Sequence, residues 1–220
     1  MKNKLYLVFD FDGTLADSFS LIMKCFLTVF HNHGLQITKE GVDKYFGPSE
    51  EGILINVFGE EEGKKIFFDK YLPFYKKYHQ EYLPSIDKSI ISILDYLKSK
   101  DIPIILLTGR SSESCDISLK FLKLDQYFMK IYTGSIHGIN KPDSFKKLMK
   151  DLNVKAENLL YIGDSLKDVE SCRSVGVKII SVAYYNLNKY DDLNRLNPSM
   201  VVKSPDELFS KIKEELELNK

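Results

Sequence analysis

The chain has 220 residues, which is long enough to bury a substantial core and to hold one domain with an insertion. Lys plus Arg and Asp plus Glu number 31 each, so the formal net charge is zero. This balance excludes an overall electrostatic attraction to nucleic acid or to an anionic membrane. We therefore expect neither as a partner, and any ligand must be recognised by a local group of side chains.

The first apolar run stops after five residues at Asp10, which is too short for the core of a signal peptide. No other run approaches the length of a membrane span. The three cysteines, Cys25, Cys115 and Cys172, are widely spaced and form no CxxC pattern. We expect them to be buried thiols in a reducing compartment, and we expect the protein to be cytoplasmic.

Short apolar runs alternate with segments of helical period along most of the chain. The runs predict strands near 4–10, 102–107, 158–162 and 177–182, with weaker candidates near 129–133 and 200–202. Helical patterns occupy about 87–99, 112–123, 143–152, 166–175 and 205–218. Strands that are apolar on both faces and separated by helices are typical of a parallel sheet covered on both sides. The sequence thus predicts an α/β, doubly wound parallel-sheet core.

The alternation is interrupted between the first strand and the helix near residue 87. This stretch contains no convincing strand and shows helical patterns at about 17–33, 39–45, 49–58 and 60–81. We predict an α-helical cap domain of residues 16–83, inserted into a Rossmann-like core formed by residues 1–15 and 84–220. Gly13 and Leu83–Ser85 would be its hinges. Its turn at 46–51 either faces the core site and selects the substrate, or is a simple turn with Ser49 as N-cap.

Polar residues follow three of the predicted strands. In open parallel sheets, ligands bind beyond the carboxyl ends of the strands, so these residues are candidates for one site. Individually, Thr108, Asp164 and Ser165 could each be a helix cap, and Asp17-Ser18 is best interpreted as a cap. The candidates are Asp10, Asp12, Thr108, Gly109, Arg110, Asp164, Ser165 and Asp168.

Lys141 precedes Pro142, a good first residue of a helix, so Lys141 should lie at a helix start. The helix dipole disfavours a cation there unless an anionic group is near. The candidate set also contains several carboxylates, and each like-charge pair at 4 Å costs about 4 kcal/mol at an effective dielectric of 20. A divalent cation would offset that repulsion, and Mg²⁺ suits oxygen ligands that include one or two carboxylates.

This set fits the hydrolysis of a phosphate ester. Asp10 would be the nucleophile and form an aspartyl-phosphate, once a cation neutralises the repulsion between carboxylate and phosphate. Asp12 would act as general acid toward the leaving group and then activate water. Lys141 and the Thr108 hydroxyl would contact the other phosphoryl oxygens.

Four motifs resemble the haloacid dehalogenase superfamily of phosphohydrolases. They are DxDGT at 10–14, the apolar strand ending in Thr108, the lysine of Asn140-Lys141-Pro142-Asp143, and Gly163-Asp164-Ser165-x-x-Asp168. Their order covers nearly the whole chain. The helical insertion after the first motif resembles that of the subgroup with phosphoglycolate phosphatase and β-phosphoglucomutase.

The resemblance implies a Mg²⁺-dependent phosphatase that acts on a small phosphorylated metabolite, as a monomer or a homodimer. It implies that Asp10 and Asp12 are catalytic and that Asp10, Asp12 and Asp164 hold the metal, Asp12 through its backbone carbonyl. Asp168 would orient Lys141 or a metal-bound water, and the insertion would close over the substrate. The implied phosphate-binding residues are Thr108, Gly109 and Lys141.

Other activities of the superfamily fit the residues less well. Dehalogenases and phosphonoacetaldehyde hydrolases lack the second aspartate, so Asp12 argues against both. Mutases of the group often have a serine at the position of Thr108, which favours hydrolysis; a sugar phosphomutase, a pyrophosphatase and a nucleotidase stay as alternatives. Arg110 either reads a second anionic group of the substrate or is a surface arginine.

Three readings from other classes fit less of the chain. A calcium-binding loop would need glycine and an acid where the chain has Leu15 and Leu21. A metal-dependent sugar transferase with a D-x-D pair leaves Lys141 and Asp168 unexplained. A binding protein that has kept only the fold would not need Asp10, Asp12, Lys141 and Asp164 intact.

Overall fold

A parallel sheet forms the centre of the protein in the computed structural model, which describes residues 4–45, 47–138 and 141–219. Within those residues it has six strands, in the spatial order β3-β2-β1-β4-β5-β6. All six match strands predicted from the sequence, and the predicted α/β doubly wound fold is confirmed. The strands are β1 (Tyr6–Phe9), β2 (Ile104–Leu107), β3 (Lys130–Tyr132), β4 (Leu159–Gly163), β5 (Lys178–Val182) and β6 (Val201–Val202).

Helices connect these strands and also form the segment between β1 and β2. In that segment they are α1 (Phe19–Asn32), α2 (Lys39–Val42), α3 (Glu50–Phe58), α4 (Glu60–Ile66) and α5 (Leu72–Tyr82). After it come α6 (Lys88–Ser99), α7 (Ser112–Phe121), α8 (Lys141–Leu152), α9 (Leu166–Val175), α10 (Tyr190–Leu196) and α11 (Pro205–Leu218). The short helix α10 was not expected from the sequence pattern.

The single helix predicted over 60–81 is wrong in one detail. A wider π-helical turn, Phe67–Tyr71, separates α4 from α5, and the Leu72 N–H donates to the carbonyl of Phe67, five residues back. Pro73 follows at once and has no N–H to donate to the preceding turn. A locally widened turn is a common way for a helix to continue past such a break.

Two apolar clusters cover the two faces of the sheet, because side chains alternate along each strand. Leu7 and Phe9 of β1 belong to a large cluster that includes residues of α6, α7, α11 and the helices between β1 and β2. Val8 belongs to the other cluster, with residues of α8, α9 and α10. The sheet is therefore buried on both sides, as its apolar strands predicted.

The predicted insertion, residues 16–83, meets the rest of the protein through polar as well as apolar contacts. The Ser49 N–H donates to the carbonyl of Ser135 at 3.0 Å. The Glu50 carboxylate is buried and accepts from the Ser111 N–H and the Ser114 hydroxyl, both at 2.6 Å. The division into two domains stays a prediction.

The three cysteines are buried and free, as expected. In the described part of the chain, no helix has the length and apolar character needed to cross a membrane. Asn140 of the lysine motif and Phe46 of the 46–51 turn lie outside the described residues.

Candidate active site

The candidate residues converge where the winding of the sheet changes direction. Strand β1 pairs with β2 on one side and with β4 on the other, so the chain proceeds outward in both directions from β1. The Asp10 N–H continues the β1–β4 pairing by donating to the carbonyl of Ile162 at 2.9 Å. The residues after β1, β2 and β4 thus meet at one edge, which is where α/β sheets bind ligands.

Lys141 lies at the start of α8, and its buried ammonium contacts three partners. Its Nζ atom is 2.6 Å from Oδ2 of Asp10 and 2.5 Å from Oδ1 of Asp168. It also donates to the Tyr161 hydroxyl at 2.7 Å. The helix dipole disfavours a cation at a helix start, and the two carboxylates offset this effect. The sequence predicts an anionic neighbour on the same ground.

These buried charges shift one another's protonation equilibria. Burial raises the pKa of Asp10 to about 7; the Lys141 ammonium opposes this rise, and Asp168 adds to it. Burial disfavours the charged form of Lys141, but the carboxylates of Asp10 and Asp168 outweigh that effect and raise its pKa. Lys141 is therefore a cation at neutral pH, and the Asp10 carboxyl is poised near its titration point.

Asp10, Asp164 and Asp168 each offer one carboxylate oxygen within 4.8 Å of the others. Gly13 lies against this cluster: a Cβ atom at residue 13 would lie 2.4 Å from Oδ2 of Asp164. Hard oxygen donors at this spacing fit a small divalent cation such as Mg²⁺. Burial also raises the pKa of Asp164, and the Lys189 ammonium, 2.6 Å from its Oδ2 atom, opposes that shift.

Asp168 takes part in a helix cap and also contacts Lys141. Its Oδ2 atom accepts from the Ser165 N–H and hydroxyl at 3.1 and 2.8 Å, and the Ser165 hydroxyl in turn accepts from the Asp168 N–H. This capping box begins α9, so the helix-cap interpretation of Ser165 is correct. Because Oδ1 of Asp168 contacts Lys141, the same cap fixes a partner of that lysine.

Asp12 is paired with Arg110, which follows Gly109 at the end of β2. The guanidinium Nε atom is 2.9 and 3.0 Å from the two carboxylate oxygens, and Nη2 is 2.8 Å from Oδ1. Arg110 is only 2 % exposed, so its interpretation as a surface arginine is wrong. Asp12 also accepts a hydrogen bond from the Ser18 hydroxyl.

Two interpretations as helix caps need correction. Ser18 stands directly before α1 but makes no side-chain cap, because its hydroxyl is directed to Asp12. The cap of α7 is Ser111, not Thr108. By contrast, Ser49 does cap α3, and its neighbours Gly47, Pro48 and Glu50 also line the cavity described next. That the turn selects the substrate stays a prediction.

A cavity of about 620 Å³ lies at this edge of the sheet, between it and the insertion. The candidate residues Asp10, Asp12, Gly109, Arg110, Lys141, Asp164, Ser165 and Asp168 line it. Its other wall includes Phe19, Ile22 and Ile53 of the insertion. Thr108 is buried and lines a separate cavity of about 260 Å³, which shares Gly109 and Lys141 with the larger one.

Several residues at the site were not found from the sequence. Ser18 contacts Asp12, Tyr161 contacts Lys141, and Lys189 contacts Asp164. Tyr161 lies within an apolar strand and Lys189 ends a short 3₁₀ helix at the surface, where neither residue type is unusual. Arg110 was a candidate from the sequence because it follows Thr108 and Gly109 directly after β2, but its contact with Asp12 was not predicted.

A buried lysine between two aspartates, with a third carboxylate beside them at the switch point of a doubly wound sheet, is the arrangement that the sequence predicted for a phosphatase-type hydrolase. The sequence profile of the haloacid dehalogenase-like hydrolases matches residues 7–182. The chain belongs to this family.

Known proteins agree with that assignment. Pyrophosphatase PpaX of Bacillus mycoides is 28% identical over 182 residues, covering 80% of this chain and 82% of the relative. A protein from Caldanaerobacter subterraneus subsp. tengcongensis that also bears the name PpaX is 29% identical over 209 residues, covering 94% and 93% of the two chains. The protein is therefore similar to pyrophosphatases of this family along most of its length.

Solved structures share the whole fold. A crystal structure described as "a predicted phosphatase from Clostridium acetobutylicum" has a TM-score of 0.71 and 26% identity, covering 96% of this chain and 99% of that one. A HAD hydrolase of family IA, variant 3, from Entamoeba histolytica has a TM-score of 0.77 at 18% identity, covering 98% and 99%. The second likeness shows the fold alone.

Proposed function

We propose that the protein is a Mg²⁺-dependent phosphatase that hydrolyses a small phosphorylated metabolite through an aspartyl-phosphate on Asp10. The observation that carries this proposal is the Lys141 ammonium, held 2.6 Å from Asp10 and 2.5 Å from Asp168 in a cavity between the sheet and the insertion. The three buried, reduced cysteines fit a cytoplasmic location.

Asp10 and Asp164, with the backbone carbonyl of Asp12, would hold the metal ion. When bound, Mg²⁺ would neutralise part of the negative charge shared by these carboxylates and the phosphoryl group. Lys141 supplies a second positive charge beside Asp10, and Asp168 keeps that ammonium in place. Thr108 and Gly109 would complete the phosphate-binding loop.

The reaction has two displacements at phosphorus. An Asp10 carboxylate oxygen bonds to phosphorus as the bond to the leaving-group oxygen breaks, and the leaving oxygen keeps the electron pair. Asp12 donates a proton to that oxygen where the leaving group requires one. Water then attacks the aspartyl-phosphate, Asp12 takes one of its protons, and the Asp10 carboxylate is released together with inorganic phosphate.

Pyrophosphate is a second candidate substrate. Two relatives named PpaX cover at least 80% of the chain, and one is named a pyrophosphatase. Lys167 and Lys189 also line the cavity, and each could balance the charge of a leaving phosphate.

We expect purified protein to release inorganic phosphate only when Mg²⁺ is present, because its acidic cluster needs a cation to accept an anionic substrate. The assay compares pyrophosphate, phosphoglycolate, sugar phosphates and nucleotides, with EDTA as the control. A hexose 1-phosphate with a trace of its bisphosphate tests for the mutase, which would yield the 6-phosphate isomer. Absence of phosphate release from every compound would contradict the proposal.

Mg²⁺ should stabilise the protein more at pH 8.5 than at pH 5.5. In the metal-free fold, burial raises the pKa of Asp10 from 3.8 to about 7. The fold therefore favours the protonated Asp10 carboxyl. This contribution to the free energy of unfolding is fully present below pH 3.8 and is lost as the pH rises to about 7. Mg²⁺ binds the ionised carboxylate, so at pH 5.5 it must displace a proton from Asp10. This competition weakens Mg²⁺ affinity about 30-fold at that pH.

The measurement is thermal unfolding during a Mg²⁺ titration at each pH. At a hundredfold excess over Kd, the ion adds about 2.7 kcal/mol to the free energy of unfolding. The Asp10→Asn variant should show a much smaller difference between the two pH values. Equal apparent affinities for the native protein at pH 5.5 and 8.5 would rule out Asp10 as a titrating metal ligand.

A further inference from the structure

The side chain of Arg110 is held from two directions. Toward the cavity it makes the forked contact with Asp12, whose side chain is 34% exposed. On its other side, Nη1 donates to the Ser118 hydroxyl of α7 at 3.0 Å and to the Tyr75 hydroxyl of α5. Since Tyr75 belongs to the insertion and Ser118 does not, the guanidinium is fixed by both parts of the structure.

Two rings confine the guanidinium further. Its central carbon lies 4.5 Å from the centre of the Phe11 ring and 5.3 Å from that of Tyr75, distances at which a cation is attracted to the ring. Arg110 has 2 % of its surface exposed, and its guanidinium is held by Asp12, Tyr75 and Ser118. Its open contact is with Asp12, so its effect on the reaction should pass through that carboxylate.

The donors around Asp12 are unevenly distributed. Oδ1 receives hydrogen bonds from the Ser18 hydroxyl and Arg110 Nε and also contacts Nη2. Among the contacts of the described residues, Oδ2 has Nε alone, at 3.0 Å. The less occupied oxygen, Oδ2, keeps a lone pair that can accept a further proton.

We propose that Arg110 is the positioning residue for the second half of the reaction, in which Asp12 activates water. This inference rests on the proposed function. In that step the water oxygen bonds to phosphorus, one water proton passes to Oδ2 of Asp12, and the bond from phosphorus to Asp10 breaks with its electron pair going to Asp10. The products are inorganic phosphate, an ionised Asp10 and a protonated Asp12.

Rapid-quench kinetics with p-nitrophenyl phosphate and Mg²⁺ separate the two halves, because nitrophenolate leaves without needing a proton. In Arg110→Met, the decay of the aspartyl-phosphate should slow about 100-fold, the lower end of what general acid–base catalysis contributes. The first release of nitrophenol should change less than about threefold, so phosphoenzyme accumulates. Arg110→Lys keeps a buried cation but lacks the forked contact with Asp12. Its aspartyl-phosphate should decay at a rate between those of Arg110→Met and the native protein.

Arg195→Met is the matched control, because Arg195 is an exposed arginine on α10. A parallel fall of both rates in Arg110→Met, or an unchanged decay rate, would overturn the proposal and leave Arg110 a purely structural role. If Arg110→Met does not fold, the same comparison is made with Arg110→Lys. Failure of the native protein to form any phosphoenzyme would instead contradict the proposed function.

Discussion

The Asp10→Asn variant should lose at least about 10⁴-fold in turnover, because an amide cannot replace a carboxylate nucleophile and the covalent route is closed. The fold should be retained. Asn has nearly the same shape, and its amide oxygen can still accept the Phe11 N–H bond that Asp10 Oδ1 accepts at 2.7 Å. Lys141 also keeps Asp168 as a partner.

The assay for this variant is steady-state phosphate release with Mg²⁺, together with a search for covalently bound phosphate after acid quenching. Asp101→Asn is the matched control. Residue 101 is exposed and has a φ of 52°, a conformation that Asn adopts as readily as Asp. A variant Asp10→Asn that turned over within tenfold of the native rate would contradict an aspartyl-phosphate on this residue.

Lys141→Met should lower both activity and stability. Activity should fall about 10³-fold, since a preorganised charge beside the phosphoryl group is lost. In EDTA, the free energy of unfolding should fall by about 3–5 kcal/mol, because the buried carboxylates of Asp10 and Asp168 lose the cation between them. Urea denaturation measures this second effect.

Two further variants test the cause of that loss. Lys147→Met removes a lysine of the same helix whose ion pair with Asp151 lies at the surface, and it should cost about 1 kcal/mol or less. The double variant Lys141→Met with Asp168→Asn should recover about 2 kcal/mol relative to Lys141→Met, because one uncompensated buried charge is removed. Additive losses in the double variant would mean that the ammonium and Asp168 do not interact energetically.

The local pattern of the sequence predicted most of the fold. All six strands of the described residues lie where apolar runs predicted them. The signal is strongest for β2 and β4, which are buried at every position and must therefore be apolar on both faces. The family also followed from short motifs, since Asp10, Asp12 and Gly13 are neighbours in the chain. The same local reasoning placed Lys141 at a helix start and inferred an anionic group near it.

Contacts between distant residues were beyond that reasoning. Arg110 and Asp12 are 98 positions apart, and Glu50 and Ser114 are 64 apart. Nothing local distinguishes an arginine that will be buried beside a carboxylate from one that will face water. Ser18 was misinterpreted for a different reason: its position before α1 favours a cap, but its hydroxyl donates instead to the Asp12 carboxylate, six residues earlier in the chain.

The sequence by itself therefore determined the parallel sheet, the helical segment after β1 and the chemical types at the strand ends, because each depends on residues within one or two turns of each other. Only the tertiary structure decided which groups pair: Lys141 with Asp10 and Asp168, Arg110 with Asp12, and Lys189 with Asp164. The physical reason is that a charged side chain pairs with an opposite charge only when packing brings the two within about 3 Å, and packing depends on the whole chain.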